Sequence, residues 1–147
     1  MTSTFLSQDI QGEEGRRYEA CANGLTGGAP WSIGIGHTGP EVHRGLTWTD
    51  RQVDEALKFD IQQCMVGLDA RLPWWTDLDD TRQDVLVQLT FQLGLGGVLE
   101  LVDALRFMRD RDYLGAAEAL RRCRWARHPP GRMDRLADQM ATGRRDD

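Results

Sequence analysis

Lysine is nearly missing from this 147-residue chain: Lys58 stands alone among 18 basic side chains, the rest being arginine. That bias reads as genome composition rather than function. Cysteine is scarce as well. Cys21, Cys64 and Cys123 are too few and too scattered for a disulfide framework or a zinc site, so buried free thiols in a reducing compartment are expected. No stretch reaches the roughly 20 apolar residues that a membrane span needs, which predicts no membrane anchor. The opening MTSTFLSQDIQGEEG lacks a basic segment followed by an apolar run, so no secretory signal peptide is expected. Accumulation in the cytoplasm follows, and a target beyond the membrane would need another route out.

With 40% hydrophobic and 28% charged residues, the composition is that of an ordinary globular chain and excludes disorder. A single domain of this size buries roughly two-thirds of its unfolded surface. The net charge of −5 is unevenly spread. Residues 1–105 carry 7 basic and 16 acidic side chains, whereas residues 106–147 carry 11 and 7. The basic final third can steer an anionic polymer or consist of solvated helix faces. The acidic total argues against a nucleic-acid partner.

Residues 3–13 read as a short helix with Phe5, Leu6 and Ile10 as its buried stripe. From Gly15 to Gly45 the chain is punctuated by glycine and by Pro30 and Pro40, the mark of a small β-hairpin region with loops. Beyond Thr49 the pattern is helical. Thr49 and Gln52 form a capping box, and Val53, Leu57, Ile61, Cys64 and Leu68 recur at helical spacing up to Pro73. Asp79 or Asp80 caps a second helix that bears Val85, Leu86, Leu89 and Leu93 and stops at Gly94, Gly96 and Gly97. Leu99, Val102, Leu105 and Met108 mark a third helix, and Tyr113, Ala116, Ala117 and Leu120 a fourth. The last carries Met133, Leu136 and Met140 after Pro129 and Pro130. The expected fold is α+β, mostly α, in one domain over residues 1–147. It comprises a β lobe at about 15–48, a connecting helix at about 49–72 and a helical lobe at about 73–147.

Glu14 closes the first helix just before Gly15. A carboxylate there sits at the negative end of the helix dipole, a location that suits a general acid, although taken alone the favoured reading is an ordinary solvated surface residue. In the run Trp31-Ser-Ile-Gly-Ile-Gly-His-Thr38 the glycines let a strand pass close to another backbone. Ser32 and Ile33 project to opposite faces of that strand.

These segments together resemble a known family. EGRR, SIGIGHTG and the LT before the capped helix are similar to the phage lysozymes of glycoside hydrolase family 24, a group that includes the phage T4 and lambdoid endolysins. LDDTRQDVLVQLTFQLGLGGV resembles their Leu-Asp…Phe-Gln-Met/Leu-Gly helix and turn, and CRWARHPPGR their Arg-Trp…Pro-x-Arg segment. The likeness runs over residues 5–145 in the same order. It implies a lysozyme-like fold and a muramidase that hydrolyses the β-1,4 bonds between N-acetylmuramic acid and N-acetylglucosamine in bacterial peptidoglycan. Neither metal nor cofactor is implied. A monomer is expected, an endolysin that waits in the host bacterial cytoplasm and then acts on the periplasmic wall.

Carried over by position, Glu14 matches the family's catalytic glutamate and Ser32 its water-holding threonine. His37 matches a histidine that pairs with an aspartate of the long helix, here Asp60, a structural pair. Phe91, Gln92 and Gly94 match positions lining the sugar cleft. Arg124 matches an arginine at the cleft's helical side, and Arg132 one that approaches the catalytic glutamate; surface salt bridges are the plain alternative for both.

The family's second carboxylate falls, without gaps, on Asn23. An inverting glycosidase places its base about 6.5–9.5 Å from its acid, with water between them, and an amide cannot take that proton. Three readings follow: a slip of two positions that puts Cys21 there, as in the family's cysteine variants; Asn23 as a weaker water positioner; or deamidation at Asn23-Gly24. The rival functions are a lytic transglycosylase using Glu14 alone and an inactive peptidoglycan-binding relative.

Overall fold

A computed structural model describes residues 4–127 and 129–145. The chain divides into two compact units, Met1–Gln63 and Cys64–Asp147. The architecture is mostly helical α+β with one small antiparallel sheet, as expected.

In the first unit α1 spans Thr4–Glu14; the expected start at residue 3 lies outside the described residues. Leu6 and Ile10 are buried, but Phe5 is 55% exposed, which corrects the expected stripe. Residues 6 and 10 share a helix face, whereas residue 5 is turned about 100° away from residue 6. Gly15, at φ 77°, ends the helix and returns its amide to Gln11 O at 2.8 Å. The sheet follows, with β1 (Arg17–Cys21), β2 (Ser32–Gly34) and β3 (His37–Thr38) in the order β1-β2-β3. Register places Cys21 opposite Ser32, Ser32 opposite Thr38 and Ile33 opposite His37.

Helix α2 spans Asp50–Arg71 and belongs to both units. Its capping box forms as the sequence predicts: Thr49 N donates to Gln52 Oε1 at 2.8 Å, and Gln52 N to Thr49 Oγ1 at 3.2 Å. Arg16 ties the start of the sheet to the first turn of α2. It donates to Asp54 Oδ1 at 2.7 Å, to Asp50 Oδ1 at 2.9 Å and to Tyr18 Oη at 2.9 Å. Tyr18 in turn donates to Asp50 at 2.6 Å. The bonds from Tyr18 and then Arg16 push the Asp50 carboxyl below its ordinary range.

In the second unit a short 3-10 turn, Pro73–Asp77, follows α2, and the buried Trp75 donates its indole N–H to Asp69 at 2.7 Å. Helices α3 (Asp80–Leu99), α4 (Val102–Arg109), α5 (Tyr113–Arg122) and α6 (Arg132–Thr142) complete it. The core here includes Leu68, Leu86, Leu89, Met108, Leu120, Met133, Leu136 and Met140. Asp79 caps α3 through Arg82 N. Arg82 itself closes the far end of α6, donating to Met140 O at 2.7 Å and Ala141 O at 3.1 Å while lying 3.5 Å over the Tyr113 ring.

The glycines of α3 do not end it. Only Gly94 leaves helical geometry, at φ 74° and ψ 162°, and the helix resumes to Leu99, so Leu99 closes α3 rather than opening the next helix. Gly97 stays helical against the Trp125 ring, where an added β-carbon would sit 3.6 Å away. All three cysteines are half-buried rather than buried, and none is in a disulfide. Among the described residues no single helix is long and apolar enough to cross a membrane; α3 and α4 would qualify by length and composition only as a pair, and they are bent by 104°.

Candidate active site

Glu14 is the last residue of α1 and is half-buried. Its carboxyl lies on the turn joining β2 to β3. A β-carbon on Gly36 would sit 3.0 Å from Glu14 Oε2 and 3.2 Å from its Cγ. Gly36 also has φ 67°, in the left-handed region, so the backbone favours glycine there, and a side chain would press on the Glu14 carboxyl. The Gly-Ile-Gly run of the sequence thus serves two ends: it turns the hairpin and clears a seat for the carboxyl.

In the same sheet the register sets Cys21, Ser32 and Thr38 in a row across the three strands, with directly opposed side chains on one face. Cys21 Sγ accepts from Arg17 Nη1 at 3.1 Å, and both Cys21 and Ser32 are half-buried. Asn23 lies in the loop beyond β1, and its side chain is engaged by its own backbone. Asn23 Oδ1 accepts from Leu25 N at 2.8 Å and Thr26 N at 3.2 Å, while its main chain exchanges hydrogen bonds with Gly27 and Gly28. This is an Asx turn, in which the carbonyl oxygen orders a loop.

His37 Nδ1 donates to Asp60 Oδ2 at 2.7 Å, the pair expected from the resemblance. Its other nitrogen, Nε2, donates to Glu41 Oε1 at 2.6 Å, a partner sequence reasoning missed. With a carboxylate on each nitrogen, the species that satisfies both bonds is the imidazolium. Burial on its own would push His37 down, but the hydrogen bonds and charges of Glu41 and Asp60 outweigh it and raise its pKa above the ordinary 6.5. Burial raises Asp60 by more than His37 lowers it. The Trp48 ring packs at 5.3 Å from the imidazole. A spacing of four residues signals a side-chain pair only on a helix, so in the turn HTGPE nothing marked Glu41.

The remaining candidates belong to the second unit. Phe91 and Gln92 lie three and two residues before the break at Gly94 and are half-buried. Gln92 Oε1 is a buried acceptor with no hydrogen-bond partner among the described residues. Arg124 donates to Glu100 Oε2 at 2.9 Å and lies 4.3 Å over the Trp125 ring. Arg132, half-buried, opens α6.

A lysozyme-like α+β protein is the class these elements define. A family model described as Phage lysozyme matches residues 11–142, and the chain belongs to that family, one of glycoside hydrolases. An endolysin of Bacillus phage B103 is 29% identical over 68 residues, covering 46% of this chain. The matched segment spans 25% of that endolysin's length.

Proposed function

We propose that the chain is a muramidase that hydrolyses the β-1,4 bond between N-acetylmuramic acid and N-acetylglucosamine in peptidoglycan. Glu14 is the general acid. The observation that carries this reading is the seat of its carboxyl on Gly36, in a turn of the same small sheet that pairs a thiol and a hydroxyl across adjacent strands. Glu14 gives its proton to the glycosidic oxygen as the bond to the anomeric carbon breaks. A water held by Ser32 and Cys21 adds its hydroxyl to that carbon, and the proton it loses replaces the one Glu14 gave. Cys21 is preferred to Asn23 as the second position because the Asn23 carbonyl oxygen already serves its loop. The orphaned Gln92 Oε1, near the Gly94 break, supports a sugar-binding role for Phe91, Gln92 and Gly94, since a buried acceptor without a partner is costly until a donor arrives. Arg124 and Arg132 supply positive charge for the carboxylates of the wall polymer. Action on the wall of the host cell follows from this chemistry, with a single chain as the working unit.

A lytic transglycosylase is the second reading, favoured because the ungapped match to the family's second carboxylate is an amide tied into its own turn. Mass spectrometry of peptidoglycan digested by wild type and by Glu14→Gln tests both. Soluble fragments with reducing ends from wild type alone are the expected result, and anhydro ends identify the transglycosylase. A folded Glu14→Gln variant that still releases fragments sinks the role of Glu14. A folded wild type that releases none leaves a peptidoglycan-binding relative.

A further inference from the structure

We infer that Glu41 is a positioning residue for Glu14: by taking the second ring nitrogen of His37, it completes a clamp that holds the Gly36–His37 backbone as the floor on which the Glu14 carboxyl lies. This rests on the proposed acid role of Glu14. The geometry forms a chain of contacts within one unit. Asp60, on α2, takes one side of the imidazole and Glu41 the other, at 2.7 and 2.6 Å. His37 follows Gly36 directly, and Gly36 meets the carboxyl of Glu14.

Glu41 reaches the ring because its own seat is cleared. A β-carbon on Gly39 would fall 2.6 Å from both carboxylate oxygens of Glu41, so any side chain there displaces it. The turn is pinned as well: Val42 N donates to Gly39 O at 3.1 Å, and the Val42 side chain is buried. Gly36 and Gly39 therefore bracket His37, one bare toward Glu14 and the other bare toward Glu41. The charged groups facing His37 are Asp60 from α2 and Glu41 from the 39–42 turn, with the uncharged Trp48 ring packed against it and Glu14 of α1 next in line beyond Gly36.

The consequence is a link between the His37 proton and Glu14. When the imidazolium deprotonates, one of its two hydrogen bonds is lost and the Gly36 floor loosens. The test is a pH titration of the full chain by carbon-13 NMR, following the His37 ring and the Glu14 carboxyl carbon in wild type, Glu41→Gln and Gly39→Ala. Fragment release from peptidoglycan is measured across the same pH range. In wild type the Glu14 resonance is expected to show a second step at the His37 midpoint, coincident with the alkaline fall of activity. In both variants the His37 midpoint, the Glu14 step and the alkaline limb should move together to lower pH by about one unit, the size of effect one neighbouring charge exerts.

A His37 titration that moves while the Glu14 resonance and the activity limb stay in place would overturn the inference, leaving Glu41 a purely structural partner. A His37 titration unchanged in Glu41→Gln overturns it as well. Thermal unfolding of each variant, measured at the assay pH, separates loss of fold from loss of positioning. If wild type releases no fragments at all, the muramidase reading fails, yet the NMR step still decides whether Glu41 acts on Glu14.

Discussion

A cysteine and an asparagine two residues apart have opposite employment in this protein. Asn23 turns its oxygen inward to two backbone amides, while Cys21 faces Ser32 across a strand pair. Their alanine variants should therefore separate. Asn23→Ala removes two hydrogen bonds from an exposed loop and is expected to cost about 1 kcal/mol of stability with activity largely kept. Cys21→Ala should leave the free energy of urea unfolding within about 0.5 kcal/mol of wild type and lower the rate of fragment release instead. The reverse pattern would return Asn23 to the second position. Ser32→Ala, which keeps the strand and loses the hydroxyl, is expected to slow fragment release by about 10-fold or more. An unchanged rate would mark Ser32 as a strand residue only.

Among the elements, α3 depends most on a single backbone position. Gly94 stands at φ 74° and ψ 162°, a combination essentially restricted to glycine, and the helix resumes after it. A β-carbon at Gly94 would meet nothing within 4 Å, so the cost of Gly94→Ala is backbone strain rather than collision. That cost is expected to be about 1–3 kcal/mol, read as a lower denaturation midpoint. A loss under about 0.5 kcal/mol would mean that the break relaxes into regular helix. Such a relaxation would turn Phe91 and Gln92 relative to the rest of α3, so the same variant tests whether their placement matters for peptidoglycan binding. The N-terminus of α2 is better insured, since the Thr49–Gln52 box and the Arg16–Tyr18–Asp50–Asp54 network both secure its first turn. Single changes there should each cost little.

Across the whole molecule, the His37 clamp contributes a pH dependence to stability. The folded state raises His37 above its ordinary 6.5, so that contribution is fully present below 6.5 and is lost as pH rises through the folded value. Glu41 is lowered from its ordinary 4.5, so its share is present above that value and is lost as pH falls through the lower folded one. Stability should thus peak between these ranges and decline toward alkaline pH, a decline that His37→Gln removes. Urea unfolding at about pH 6 and about pH 9 checks this, and a wild-type midpoint that does not fall at the higher pH would contradict the sign. The core answers to a different measure. Leu86 has no exposed surface, and Leu86→Ala is expected to cost about 2–5 kcal/mol at any pH in this range.

Periodicity and local chemistry were enough, from the sequence alone, to indicate the order of the helices, the hairpin region, the Thr49–Gln52 cap and most of the buried faces of α2 and α6. Each of these depends on residues three or four positions apart, or on a turn that glycine permits. The recurring motifs were enough to indicate the family, to nominate Glu14 and Ser32 as candidates and to pair His37 with Asp60. Tertiary structure alone decided the rest. Phe5 faces outward although it is apolar, because Leu6 and Ile10 define the buried face of α1. Gly94 breaks its helix while Gly97, next to Leu93 and Trp125, stays helical, a choice that glycine permits at either position and that the sequence does not distinguish. Strand register, not distance along the chain, set Cys21 opposite Ser32 and left Asn23 to its loop. Glu41 joined His37 because Gly39 leaves room for its carboxylate, a contact made by the path of the backbone through a turn, for which sequence carries no period.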